Sequence, residues 1–366
     1  MTALADLLIR QIAATGPMTL ADYMAECLTH PLHGYYTTRD PFGQAGDFTT
    51  APEISQMFGE LLGLCLAQNW LDNGAPDSFT LAELGPGRGT LMADVLRATR
   101  GILGFHAAAK VTLVETSPTL RALQGQCLPQ GQVQWLDHTG SLPDAPLYLL
   151  ANEFFDALPI RQFIRQDNGW SETMVGLAGD RLSFGCSAPA PLMALDHRLA
   201  DTVVGEVVET CPGATRIMAT IADRINRNGG LALIMDYGGW HSRGNTFQAM
   251  ANHAFTDPLA APGEADLTAH VDFEALAFAA IPARTAYTTQ GNLLQSLGIS
   301  ARSARLTAEL TGEPLQSHLL ATRRLTDPAE MGELFKALAV FPAAAFSKKA
   351  SEVPPCSWNL AKSVFS

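Results

Sequence analysis

The chain has 366 residues, of which 47% are hydrophobic, enough for one large globular domain with additions or for two domains. Its 36 acids against 24 bases leave a formal charge of −12, the opposite of what a phosphate backbone attracts, so nucleic acid is not an expected partner. No apolar run approaches the roughly 20 residues needed to span a bilayer, and the six cysteines form no CxxC pair, so neither a zinc site nor a disulfide framework is indicated and all are expected as reduced thiols. The segment Met1 to Ile12 is amphipathic with a single cation, Arg10, and has neither a secretory core nor the Arg- and Ser-rich character of a transit peptide. A cytoplasmic protein without a metal is expected.

In chain order, residues 1–79 hold two helical patterns, Leu4 to Ala14 and Ser55 to Asn73, joined by a loop rich in glycine, proline and aromatics from His30 to Glu53. From Thr80 short apolar strands alternate with helices, the signature of a parallel sheet. Strands are expected at Thr80 to Leu84, Val111 to Glu115, Val133 to Leu136, Leu147 to Ala151 and Leu231 to Asp236. Helices are expected at Leu91 to Arg100, Pro118 to Cys127 and Ala214 to Arg227. Ile160 to Gln166 and Trp170 to Leu177 flank the turn residues Asp167-Asn168-Gly169, which reads as an antiparallel hairpin inserted at about 160–210. After a long polar loop to about Thr268 come helical stretches and a late apolar segment, Phe335 to Phe341. The alternating strand-and-helix region therefore spans 80–341, and the tail 342–366 carries no firm pattern.

The strand Thr80 to Leu84 runs into Gly85-Pro86-Gly87-Arg88-Gly89 and then into a helix. Glycines there allow a tight turn and close backbone approach by a ligand. A dinucleotide fingerprint would place its third glycine at position 90, which is Thr90. The observed GxGxG, with Glu83 two residues ahead of it, fits the nucleotide turn of methyltransferases and favours S-adenosylmethionine over a nicotinamide. Glu115, at the end of the second strand, is placed to hold a ribose diol. Asp137, after the third strand, is placed near an adenine amino group. The bland alternative is a plain strand-to-helix turn with three solvated acids.

The chain also resembles the MidA-like methyltransferases, which include the mitochondrial complex I assembly factor that methylates a protein arginine. The segments that carry the likeness are Gly16-Pro17 with Tyr23-Met24, His30 to Tyr36, Gly46 to Glu53, Glu83 to Thr90, Asn152 to Pro159, Asp236-Tyr237-Gly238 and Asp266 to Phe273. The resemblance implies a seven-stranded, Rossmann-like class I methyltransferase core with an N-terminal helical region and an inserted hairpin for substrate. It implies S-adenosyl-L-methionine as donor and a protein arginine as acceptor, in a respiratory complex I subunit or assembly intermediate. The start lacks the targeting segment of mitochondrial members, so the chain looks like a bacterial relative.

Arginine stays protonated below about 12.5 to 13.8, so a site that methylates it needs carboxylates to localise its charge and receive the released proton. Asn152, Glu153 and Asp156 lie just past the fourth strand, on the edge where open α/β sheets bind ligands, with Phe154 and Phe155 between them. The alternative is that they cap a turn around core phenylalanines. Asp266, His270 and Asp272 form a second group; helix-like spacing would set Asp266 and His270 on one face, with His270 a proton acceptor or a structural histidine. Glu206 and Glu209 read as reaching the acceptor from the side or as a solvated face. The loop Gly46 to Glu53 has the composition of a binding loop over the cofactor, with Asp47 or Thr49 at the methionyl end. The competing functions are methylation of a small molecule or another protein nucleophile, and a non-catalytic cofactor-binding assembly factor.

Overall fold

A computed structural model describes residues 2–38 and 49–343. Asp47 and the tail from 344 onward lie outside the described residues. The chain divides into two compact units that interleave along the sequence. The first takes the described parts of Met1–Phe48 with Asp156–Thr215 and Gly239–Asp272, and the second takes Thr49–Phe155, Arg216–Gly238 and the described part of Phe273–Ser366. The ranges expected from sequence cut across these units, because residues from Thr49 to the first strand pack with the sheet rather than with the N-terminal helices.

The second unit is built on a seven-stranded sheet. Its strands are β1 (Phe79–Leu84), β2 (Ala109–Val114), β3 (Val133–Leu136), β4 (Leu147–Asn152), β5 (Gly230–Gly239), β6 (Arg284–Thr289) and β7 (Phe335–Phe341). The spatial order is β6-β7-β5-β4-β1-β2-β3. β3, β2, β1, β4 and β5 are mutually parallel, and only β7 runs against its neighbours. β1 and β4 are buried at every position, as strands covered on both faces must be. Register aligns their ends: Leu84 opposes both Val114 and Ala151, and Asn152 opposes Met235. The residues that follow β1, β2 and β4 therefore emerge along one C-terminal edge.

β6 was not foreseen. It was expected within helical stretches, but Arg284–Thr289 is an edge strand with no fully buried residue in it, so it lacks the apolar signal that marks β1 and β4.

The helix Gln56–Asp72 packs against the helix Thr90–Thr99 at very short range. A Cβ on Gly63 would lie 2.9 Å from the Cα of Val95, so only glycine permits that crossing. Trp70, Phe79, Phe105 and Tyr148 form a chain of edge and tilted ring contacts in the core beneath. Buried Glu60 receives Arg97 at 2.6 Å and Arg302 at 2.8 Å, tying three helices together.

In the first unit, Thr2 and Thr19 cap the helices Ala3–Thr15 and Leu20–Thr29 by accepting from Ala5 N and Asp22 N. The second of these helices was missed in the sequence. The expected hairpin is present: Arg161–Gln166 pairs antiparallel with Gly169–Ala178, which continues to Arg181–Cys186. Val207–Thr210 pairs with Arg161–Gln166, and Gln248–Ala251, Ala254–Thr256 and Asp266–Thr268 form a small second sheet. The core joins Leu4, Leu8, Tyr23, Met24 and Tyr35 to Ile160, Val175 and Leu267. Cys27, Cys127, Cys186 and Cys211 are free thiols. Among the described residues no helix is long and apolar enough to cross a membrane, and no cluster of His, Cys, Asp and Glu is placed to hold a metal ion.

Candidate active site

β1 delivers Glu83 and Leu84 to the sheet edge, and the chain turns through Gly85, Gly87 and Gly89 before the helix Thr90–Thr99 begins. These three glycines sit at φ +57°, +52° and +84°, left-handed values that strain any residue with a Cβ. Gly85 is confined as well as turned: a Cβ there would fall 2.8 Å from Cδ2 of Phe154. Pro86 closes the turn by accepting from Gly89 N at 2.7 Å. Thr90, the residue that breaks the dinucleotide pattern, donates its hydroxyl to Glu53 at 2.7 Å.

Glu83 is 3% exposed, and its Oε2 has no hydrogen-bond partner. Burial pushes its carboxyl up to about 8, against a backbone hydrogen bond from Met92 that lowers it, and the nearby Glu115 adds to the rise. Glu115 is also buried. Its Oε1 accepts from Ser117 N at 2.8 Å and its Oε2 from Gln124 Nε2 at 3.3 Å. Burial raises the Glu115 carboxyl, and the Ser117 and Gln124 hydrogen bonds oppose that rise. Asp137 lies mostly in solvent, its side chain 80% exposed, and pairs with Arg121 at 2.6 Å. Arg121 in turn donates to the Glu115 carbonyl at 2.8 Å.

At the end of β4, Glu153 takes φ +51° without being glycine. The turn is held from β5: the Asp236 carboxylate, fully buried, accepts from Phe155 N at 2.9 Å, from Phe154 N at 3.2 Å and from Tyr237 N at 3.0 Å. Glu153 Oε1 accepts from Ala51 N at 3.1 Å and from Asn152 Nδ2 at 2.9 Å. Asn152 is 8% exposed, and its Oδ1 has no hydrogen-bond partner. Phe155 is core, and Phe154 meets it edge-on at 5.3 Å. Thr49 opens the segment that leads to Ala51 and Glu53.

Two buried acceptor oxygens without partners, on Glu83 and Asn152, thus lie at the ends of adjacent strands, with the Glu115 carboxylate at the end of a third. Buried polar atoms rarely stay unpaired. A ligand carrying an ammonium group and a ribose diol offers donors to Glu83 and Glu115, so these two residues fit S-adenosyl-L-methionine, and Asn152 Oδ1 is left to meet a second donor.

Asp156, in the first unit, is 6% exposed, and its carbonyl accepts from Ala269 N at 3.0 Å. Asp266 is buried and accepts from the Tyr36 hydroxyl at 2.7 Å; burial raises the Tyr36 phenol, and Asp266 and Asp156 add to the effect. Tyr35 is fully buried beside it, whereas Pro31 and Leu32 in the same segment are exposed. The expected helical pairing of Asp266 with His270 is corrected: Asp266–Thr268 is a strand that ends before His270, so no helix face carries the two residues. His270 is exposed, and its backbone N donates to Thr246 Oγ1 at 2.8 Å. Asp272 accepts from Ser242 N at 3.1 Å. Glu209 is 4% exposed and receives Gln162 Nε2, Thr246 N and Phe247 N, so neither a solvated face nor an acceptor contact describes it.

The Methyltransf_28 family of S-adenosyl-L-methionine-dependent methyltransferases matches residues 61–291. The chain belongs to this family. The enzyme's cofactor is S-adenosyl-L-methionine. "Protein arginine methyltransferase NDUFAF7 homolog, mitochondrial" of Drosophila melanogaster is 37% identical over 93% of this chain and 85% of its own length. The Danio rerio protein arginine methyltransferase NDUFAF7 is 37% identical over 93% of this chain and 87% of its own. A methyltransferase-like protein from Burkholderia thailandensis, crystallised with S-adenosyl-homocysteine, superposes with a TM-score of 0.81 at 30% identity, covering 94% of this chain and 92% of that one.

Gln124, Asp236 and Glu53 carry much of the geometry of this methyltransferase site. Gln124 carried no motif signal, and the sequence places Asp236 and Glu53 only within segments of family likeness. Glu53 directly follows Pro52, and Asp236 stands two residues before Gly238 within β5, which is the one signal that points to them.

Proposed function

We propose that this methyltransferase methylates an arginine side chain on a partner protein. What supports the reading most is that relatives matching 93% of the chain are named protein arginine methyltransferases. The chemistry at the end of β4 agrees with it, since a guanidinium is a planar set of N–H donors and this edge presents acceptors.

In this reading Glu83, Gly85, Pro86, Gly87, Gly89, Thr90 and Glu115 hold the cofactor, with Asp137 and Thr49 at its margins. When bound, S-adenosyl-L-methionine supplies an electrophilic methyl group on sulfur. Asn152 Oδ1 accepts an N–H of the guanidinium and aims the attacking nitrogen, and the Glu153 carboxylate draws the positive charge toward the nitrogens that do not react. The N–CH3 bond forms as the S–CH3 bond breaks, and the nitrogen then gives up its proton to a carboxylate. The left-handed turn at Glu153, held by Asp236, keeps that carboxylate fixed before the acceptor arrives, which lowers the cost of orienting it. Asp156 and His270, expected from the sequence in the catalytic set, belong to the first unit.

The acceptor protein of the reading is a respiratory complex I subunit or assembly intermediate of a bacterial cytoplasm, from the sequence resemblance. Incubation of the purified enzyme with isotope-labelled donor and isolated complex I subunits, followed by mass spectrometry, is expected to find labelled methylarginine. Asn152→Ala and Glu153→Ala are expected to cut labelling about a hundredfold while calorimetry finds cofactor binding kept within about fivefold. Label in a small molecule or on another side chain, with no methylarginine in any partner, would overturn the reading.

A further inference from the structure

The residue that joins the glycine turn to Glu115 is Gln124, on the helix Pro118–Cys127. It is fully buried, one turn after buried Leu120 on the same face. Its Nε2 donates to the Gly87 carbonyl at 2.7 Å and to Glu115 Oε2 at 3.3 Å, and its Oε1 accepts from Trp135 Nε1 at 2.8 Å. The two ends of a carboxamide are chemically opposite, and an indole N–H is a donor only. Trp135 therefore selects which end of Gln124 faces it, and so turns the NH2 group toward two acceptors. The reversed amide would set a carbonyl oxygen against a carboxylate and against the Gly87 carbonyl. With Ser117 N on Oε1 and Gln124 on Oε2, each oxygen of Glu115 has one fixed donor and a lone pair to spare. Two such oxygens suit the two neighbouring hydroxyls of a ribose.

We propose that Gln124 is a positioning residue for the nucleoside, whose amide, oriented by Trp135, locks the Gly87 peptide and the Glu115 carboxylate into one arrangement that receives the ribose diol. The proposal rests on the assignment of Glu115 to the ribose. Gly89 supports it, because a Cβ there would lie 3.0 Å from Cys127 Sγ and 3.4 Å from Gln124 Cγ, so the turn and this helix are fitted to each other.

The test compares S-adenosylhomocysteine with its 2′,3′-dideoxy analogue by calorimetry on the full chain. Gln124→Leu is expected to weaken the parent ligand about tenfold or more and the dideoxy analogue by less than about twofold. Trp135→Phe keeps an aromatic ring but removes the pyrrole ring with its N–H; it is expected to weaken the parent about threefold with the same selectivity, and it carries the test should Gln124→Leu fail to fold. Gln124→Leu added to Glu115→Ala is expected to change affinity by no more than about twofold beyond Glu115→Ala alone, because both act through one contact. If Glu115→Ala discriminates between the ligands but Gln124→Leu and Trp135→Phe weaken both equally, Gln124 only packs the turn and the proposal is overturned. If Glu115→Ala itself does not discriminate, the ribose assignment fails and takes the proposal with it.

Discussion

Removing the charge from Glu83 is expected to change how stability depends on pH. Its carboxyl, buried at the end of β1 with Oε2 unpartnered, releases its proton at about 8 in the folded chain instead of the ordinary 4.5. The unfolded chain therefore gives up this proton first. Between those two values the folded state holds more protons than the unfolded one, and stability falls as pH rises, the loss being complete above about 8. At about 1.4 kcal/mol per pH unit, a rise of this size corresponds to about 5 kcal/mol, an upper figure because water and side-chain adjustment relieve a buried charge. Glu83→Gln keeps the shape and an acceptor for Met92 N but cannot ionise. In urea unfolding followed from pH 5 to pH 9, the ligand-free variant is expected to match the wild type at the acid end and to exceed it by several kcal/mol at the alkaline end. The cationic cofactor favours ionised Glu83, so binding at pH 7 is expected to release a fraction of a proton in the wild type and less in the variant, read by calorimetry in buffers of different ionisation enthalpy. Parallel stability profiles for the two proteins would refute the reasoning.

Two further substitutions test the frame. Gly85→Ala places a Cβ 2.8 Å from Phe154 Cδ2 at a left-handed φ of +57°, and is expected to cost about 1–3 kcal/mol and to weaken S-adenosylhomocysteine at least about tenfold; unchanged affinity would remove the turn from the cofactor site. Burial alone would raise Glu60, yet Arg302 and Arg97 hold it below the ordinary carboxylate value, so its contribution is present at neutral pH and is lost as pH falls through that lowered value. Glu60→Gln is expected to cost about 2–3 kcal/mol at pH 7, moderated by the partial exposure of both arginines, and the gap from wild type is expected to close as pH falls below that lowered value. A gap that persists in acid would assign the loss to packing instead.

The strand, glycine turn and helix start that carry the proposed donor site were readable because they rest on local rules. An apolar strand, a glycine-rich turn and a helix start lie within about a dozen residues, and Glu115 follows its own strand directly. The hairpin at Asp167-Asn168-Gly169 was readable for the same reason, since turn chemistry and alternation are short-range signals. The helix face imagined for Asp266 and His270 failed because spacing alone cannot tell a helix from a strand end, and pairing with Gln248–Ala251 decided the matter.

What the sequence by itself determined is the parallel core, the glycine turn and the family, all properties of neighbours in the chain. Only the tertiary structure decided the rest. β6 becomes a strand because Phe335–Phe341 lies beside it, although nothing in Arg284–Thr289 demands it. Glu60 is a buried ion because Arg302, 242 residues away, reaches it. Gln124 acquires its bonds because Gly87 and Trp135 arrive from two different strand ends. Burial and pairing are set by residues far apart in sequence, so the raised carboxyl of Glu83 and the ordered carboxylate of Glu115 exist only once the chain has closed on itself.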